Sequence, residues 1–156
     1  MDWLYDLVTN RFLITGVSSW FVAQILKTII YAIINKKLVL ERMFGDGGMP
    51  SGHSATVTSL AVISALTYGF GSFQFAVTAL LATIVCHDAM GVRLETGKQA
   101  QIINELTKAF EVWSKKDLPE IKLKEFVGHT PVQVIAGILI GIINGCVMHF
   151  LIFPLF

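Results

Sequence analysis

Apolar residues fall into four blocks along this chain, set apart by two polar loops and one tight turn. The first block, residues 12–34, is long enough at 1.5 Å per residue to cross a hydrocarbon core of about 30 Å. Its one full charge is Lys27, with Gln24 a turn earlier on the same helical face. Lys36 and Lys37 close it. Residues 54–70 and 72–86 form the second and third blocks, divided by a glycine turn at 69–71. Each is a little short of the roughly 20 residues that a full span needs. A helical hairpin is expected there, crossing and returning where the membrane is thin or where other helices sheathe it. The last block, residues 131–153, carries Gly137, Gly141 and Gly145 at every fourth position. Such a face lets another helix approach closely, within the chain or from a second copy, so self-association stays open alongside plain packing.

Polar segments complete the pattern. Residues 1–10 read as a short amphipathic lead-in, with Trp3 and Tyr5 suited to a membrane interface. Residues 38–49 are a loop with a short apolar patch. Residues 87–128 are the only long polar stretch. Within it, 99–113 places Ile102, Ile103, Leu106 and Phe110 at helical spacing, which predicts an amphipathic helix lying on the membrane surface. Residues 115–124 are charged, contain Pro119 and read as a linker. The expected fold is all-α: an integral membrane helical bundle of about four membrane-embedded helices plus one amphipathic surface helix, a single domain over residues 1–156.

Composition agrees. The chain is 54% hydrophobic with mean hydropathy +0.66, above the usual apolar share of a soluble domain. A net charge of +1 with no basic stripe excludes nucleic acid as an expected partner. Cys86 and Cys146 lie in apolar runs, away from metal-ligand spacing, and read as packing residues. No basic segment precedes an early apolar core, so no cleaved signal or transit peptide is expected. Ten of the twelve basic residues fall in the two loops after the first and third blocks, which a helical hairpin joins on one side. The positive-inside rule assigns that side to the cytoplasm of a cell (plasma) membrane and both termini to the other.

Candidate chemistry gathers on the same side. In Gly47-Gly48-Met49-Pro50-Ser51-Gly52-His53-Ser54-Ala55 a loop gives way to a helix. The glycines permit turn geometry, Pro50 fixes one φ, and Ser51 or Ser54 suits the cap. A helix start presents free N–H groups to an anion such as phosphate, and His53 adds a group that exchanges protons near neutral pH. The plainer reading is a capped membrane helix with an interfacial histidine. A second segment, 124–137, repeats the pattern: Gly128, His129, Thr130 and Pro131 precede the last apolar block, with Thr130 at the cap and Pro131 in the first turn. Two histidines at two helix starts suit phosphoryl transfer, one attacking phosphorus and the other protonating the departing oxygen.

At these residues the chain resembles the type-2 phosphatidic acid phosphatases, which share a fold with vanadium-dependent haloperoxidases. Pro50-Ser51-Gly52-His53 matches the middle motif of that superfamily. His129, followed by Pro131 and Val134-Ile135-Ala136-Gly137, resembles its last motif. With Asp88-Ala89-Met90-Gly91-Val92-Arg93 these segments look like a small divergent branch, and the likeness runs from Lys27 to about Gly141. The resemblance implies His129 as nucleophile forming a phosphohistidine and His53 as general acid. It implies Ser51 and Gly52 as donors to the phosphoryl oxygens, and Lys27 as the cation of the first motif. The implied activity is metal-independent, needs no cofactor and acts on a lipid phosphomonoester or diphosphate whose tail stays in the bilayer.

The departures are specific. No Arg-Pro pair follows Lys27, and Leu123 stands about where an arginine would precede His129. Arg93 is the candidate replacement, because a guanidinium grips phosphate with two parallel hydrogen bonds. The acid expected four residues after the nucleophile is Gln133, which leaves Glu125 or Asp88 to supply a carboxylate for His129. His87 beside Asp88 lacks further ligands at metal spacing, so no metal site is expected. Two alternatives stand beside the phosphatase. One is a catalytically inactive membrane transporter or lipid-binding scaffold with a phosphatase-like pocket. The other is a vanadate-dependent haloperoxidase, against which the lack of a bulky soluble scaffold argues.

Overall fold

The computed structural model describes residues 2–39, 43, 47–114, 123 and 128–155. A short exposed helix, α1 (Asp2–Val8), leads into α2 (Arg11–Asn35). Asn10 caps α2, its Oδ1 accepting the N–H groups of Phe12 and Leu13 at 3.0 and 3.1 Å. After the first loop come α3 (Gly52–Tyr68) and α4 (Phe73–Met90), joined through Gly69 at φ 82° and capped by Ser72, whose Oγ accepts the Phe75 N–H. Gly91, at φ −98° and ψ −102°, breaks the helix there, and α5 (Val92–Ser114) follows at once. The last helix, α6 (Pro131–Val147), runs on as a π-helical turn (Met148–Ile152) and a short 3₁₀ turn (Phe153–Leu155).

This is a helical membrane bundle, and α3 is its axis. Among the described residues three helical stretches are apolar and long enough to cross a membrane: Arg11–Asn35, Phe73–Ser114 and Pro131–Ile152. The 17-residue α3 packs against α2, α4 and α6. Its buried positions include Ser54, Ala55, Ser59, Ala61, Ser64 and Ala65, small side chains that let three neighbours come close. Sheathing thus explains how so short and so polar a segment sits inside the bundle, as the sequence-based expectation allowed. Against it α6 lays its glycine face. A Cβ on Gly141 would stand 2.6 Å from the Ala55 carbonyl oxygen and 2.8 Å from the Thr58 Cβ, and one on Gly145 would stand 2.8 Å from Val62. Gly137 touches the Ser51 carbonyl oxygen in the same way. The glycine face is therefore filled by α3 of the same chain, not left free for a second copy.

Polar side chains seam α2 to this pair. Ser19 Oγ donates to the Ala55 carbonyl at 3.0 Å, and Asn144 Nδ2 donates to the Thr15 carbonyl and to Ser18 Oγ at 3.2 and 3.0 Å. Interhelical bonds of this kind in lipid contribute about 0.6 kcal/mol each on average. The outer surface is apolar instead: Phe73, Val77, Leu80, Leu81 and Ile84 of α4 are exposed, as a lipid-facing helix requires.

Two expected boundaries move. The third block was expected to end at residue 86, but α4 carries His87 and Asp88 within its last turn. The surface helix, expected over 99–113, already begins at Val92, helped by a Glu95–Lys98 ion pair at 2.7 Å on its first turns. It has two faces. Ile102, Leu106, Phe110 and Trp113 point outward and are exposed, while Gly97, Ala100 and Asn104 are buried on the opposite side.

Candidate active site

Three helix ends meet where α3 and α6 begin and α4 gives way to α5. The Ser51 N–H donates to the Gln133 carbonyl at 3.0 Å, tying the start of α3 to the first turn of α6. The His129 N–H donates to the Ala89 carbonyl at 2.9 Å, tying the residue before the α6 cap to the last turn of α4. These backbone bonds help bring His53 and His129, 76 positions apart in sequence, to one place. Gly47 and Gly48 lie at φ 74° and 85°, and Gly128 at φ 86°, conformations that L side chains rarely adopt. At Gly128 the reason is also spatial: its Cα lies directly against the peptide between Arg93 and Leu94.

Between these ends is a cavity of about 270 Å³ lined by His53, His129, Asp88, Arg93, Gly47 and Gly128, with Ile84 and Val85 on its apolar side. The imidazole centres of His53 and His129 are 6.3 Å apart and their planes are inclined by 49°. His129 is only 5% exposed, whereas His53 is open to solvent. The Arg93 Nε donates to Asp88 Oδ2 at 2.7 Å across the cavity rim, both side chains remaining about half exposed. At that exposure the ion pair adds little stability; its consequence is orientation, because it holds one edge of the guanidinium.

Lys27, Ser51 and Gly52 do not line this cavity. Lys27 is buried and lines a neighbouring cavity of about 250 Å³ with Tyr31, Asn35 and Gln133. Gly47 walls both cavities, and Gly48 packs on the aliphatic part of the lysine. Ser51 and Gly52 stand behind the histidine cavity. The Ser51 hydroxyl oxygen accepts from the Ser54 N–H and hydroxyl at 3.3 and 3.0 Å, so it caps α3, and its own N–H is taken by Gln133. Gly52 faces Trp20 and Gln24 of α2. Asp88, expected as a carboxylate for His129, bonds to Arg93. Glu125 lies outside the described residues. The Gln133 side chain accepts the Thr130 N–H at 3.2 Å and closes the α6 cap. Among the described residues no three His, Cys, Asp or Glu side chains are grouped to hold a metal ion. Two residues that the sequence reading did not assign matter here: Gly128, whose place before His129 was the available signal, and Asn104, which gave none.

Residues 8–144 match the family model described as the divergent PAP2 family, a stretch that spans both histidine motifs and the four helices of the bundle. The chain belongs to the divergent PAP2 family. It is also 40% identical over 154 residues to the uncharacterized membrane protein YuiD of Bacillus subtilis (strain 168), an alignment covering 93% of this chain and 98% of that one. No solved structure matches the chain significantly. Membership in the divergent PAP2 family accords with the Pro50–His53 and His129–Pro131 motifs, and the geometry above shows how a divergent PAP2 chain of this size brings its two histidines to one cavity.

Proposed function

We propose that this protein hydrolyses a phosphomonoester or diphosphate on a membrane lipid through a phosphohistidine at His129. The observation that carries the reading is the pair of imidazoles 6.3 Å apart across one cavity. A nucleophile about 3 to 3.5 Å from phosphorus and a proton donor about 2.6 to 3.2 Å from the leaving oxygen require a separation of that order. In the first step a ring nitrogen of His129 attacks phosphorus. The P–O bond to the leaving oxygen breaks, and His53 in its protonated form gives its proton to the departing group, a lipid alkoxide from a monoester or a lipid phosphate from a diphosphate. In the second step neutral His53 takes a proton from water as the oxygen attacks the phosphohistidine, releasing inorganic phosphate and freeing His129. Arg93 stabilises charge on the non-bridging oxygens, with Asp88 fixing the guanidinium. The burial of His129 suits the nucleophile, kept from bulk water, and the exposure of His53 suits proton exchange. Ile84 and Val85 give the cavity an apolar wall on the helix that faces lipid, which favours a substrate whose tail remains in the bilayer. The basic loops support a cytoplasmic location for this face.

The test is phosphate release from phosphatidate, phosphatidylglycerol phosphate and a polyprenyl diphosphate, with EDTA present, by protein in lipid nanodiscs. Wild type should turn over at least one of them, and His129→Ala and His53→Ala should each lose activity by at least about 10² to 10⁴-fold. Turnover that survives His129→Ala would sink the phosphohistidine route. The Asp88–Arg93 pair supports a second reading, since a guanidinium whose charge is offset by a carboxylate stabilises the added charge of a transition state less, which fits a pocket that holds a lipid phosphate without chemistry. Saturable binding of the same lipids with no phosphate release from wild type would favour that reading.

A further inference from the structure

Asn104 is 8% exposed in the middle of a polar helix, and both halves of its amide meet backbone 19 residues away. Its Nδ2 donates to the Leu123 carbonyl and its Oδ1 accepts the Leu123 N–H, each at 3.0 Å. A side-chain amide has one acceptor oxygen and donor hydrogens at the spacing of a peptide, so it pairs with a peptide as a neighbouring strand would. Leu123 is six positions before His129. Further on, Gly128 lies against the Arg93–Leu94 peptide and the His129 N–H reaches the Ala89 carbonyl. Leu123, Gly128 and His129 are thus each held against the α4–α5 arm, and Asn104 supplies the outermost of the three contacts.

We propose that Asn104 is a positioning residue for His129: by pairing with Leu123 it tethers the chain to α5 six positions before His129, and so keeps that imidazole buried opposite His53. The role in turnover rests on the phosphatase reading; the role in burying His129 does not. A small displacement of a reacting group costs as much as about 10²-fold in rate, so loss of one of three fastenings should lower kcat about tenfold and leave KM within about twofold.

The test compares the full chain in lipid nanodiscs with Asn104→Ala, Asn104→Asp and Leu123→Pro. Asn104→Asp keeps an acceptor and loses the donor at neutral pH. Leu123→Pro removes the N–H from the other side and leaves α5 untouched, so it serves if the α5 variants fail to fold. Carbethoxylation of each histidine by diethyl pyrocarbonate, followed by mass spectrometry, reads exposure without any need for activity. The expected result is about a tenfold faster reaction at His129 in the variants, with His53, His87 and His149 unchanged. Unchanged reactivity at His129 in Asn104→Ala and Leu123→Pro would overturn the proposal, as would an equal rise at all four histidines, which would mean general loosening. Wild type that releases no phosphate while His129 still becomes reactive in the variants would overturn the phosphatase reading alone.

Discussion

Gly128 shows how much one residue decides at this site. Its φ of 86° belongs to glycine, and its Cα lies against the Arg93–Leu94 peptide, so even a methyl group meets backbone that has nowhere to go. Gly128→Ala should cost about 1 to 3 kcal/mol of local strain. Because relief of that strain must shift either His129 or Arg93, activity should fall further than stability does. Thermal unfolding in detergent beside phosphate release from a lipid substrate checks this; an equal response in both would show a structural role only. At this scale the sequence was legible where chemistry is local. His53 and His129 were named from residue type and neighbours, Asp88 and Arg93 as replacements for groups that the family resemblance implies, and all four line one cavity. It said less where a side chain has two possible uses, as at Ser51, for which it offered both a cap and a phosphate donor. The Ser51 hydroxyl is spent on a cap, the Gln133 amide on another, and the Asp88 carboxylate on Arg93. Residue type announces donors and acceptors; it does not say which partner arrives first.

At the scale of elements, the decisive contact is between the glycine face of α6 and the small-residue helix α3. Gly137, Gly141 and Gly145 touch the Ser51, Ala55 and Ser59 carbonyl oxygens, so the backbones themselves are in contact. A larger side chain at Gly141 would force the helices apart and carry His129 away from His53, both of which begin on those same helices. Gly141→Leu should therefore destabilise the bundle by at least about 1 to 3 kcal/mol, as overpacking does. It should also lose the close approach of residues 55 and 141, readable as a distance increase between spin labels near the two helix starts. An unchanged distance would refute the claim that this face sets the site. The four-residue spacing was visible in sequence, but its partner was not: any lipid-facing or intermolecular neighbour fits glycine equally well. The same limit applies to α5, whose stripe of Ile102, Ile103, Leu106 and Phe110 was read as an apolar surface face and is exposed, while its inner face, with Asn104, gave no periodic signal.

For the whole molecule, the order of helices puts the starts of α3 and α6 at one end of the bundle and the start of α2 at the other. The sequence segments 36–42 and 93–124, which adjoin the histidine end, carry ten of the twelve basic residues, and on that bias we propose that this end is cytoplasmic. In a variant whose Cys86 and Cys146 are replaced by alanine, Gln101→Cys on exposed α5 should react with a membrane-impermeant maleimide only after the cells are opened, and Asp2→Cys should react in intact cells. The reverse pattern would invert the orientation and put the cavity outside. What the sequence determined alone was the apolar blocks, their all-helical character, the glycine spacing and two histidine motifs, because helix formation in lipid and turn chemistry depend on residues near in the chain. What only the tertiary structure decided was that His53 and His129 share a cavity, that Lys27 lies in the next one, and that the Asn104 amide pairs with the Leu123 peptide. Those facts turn on which helices pack together and on backbone groups meeting across long separations in the chain, and a backbone carbonyl has the same chemistry at every position until the fold chooses its donor.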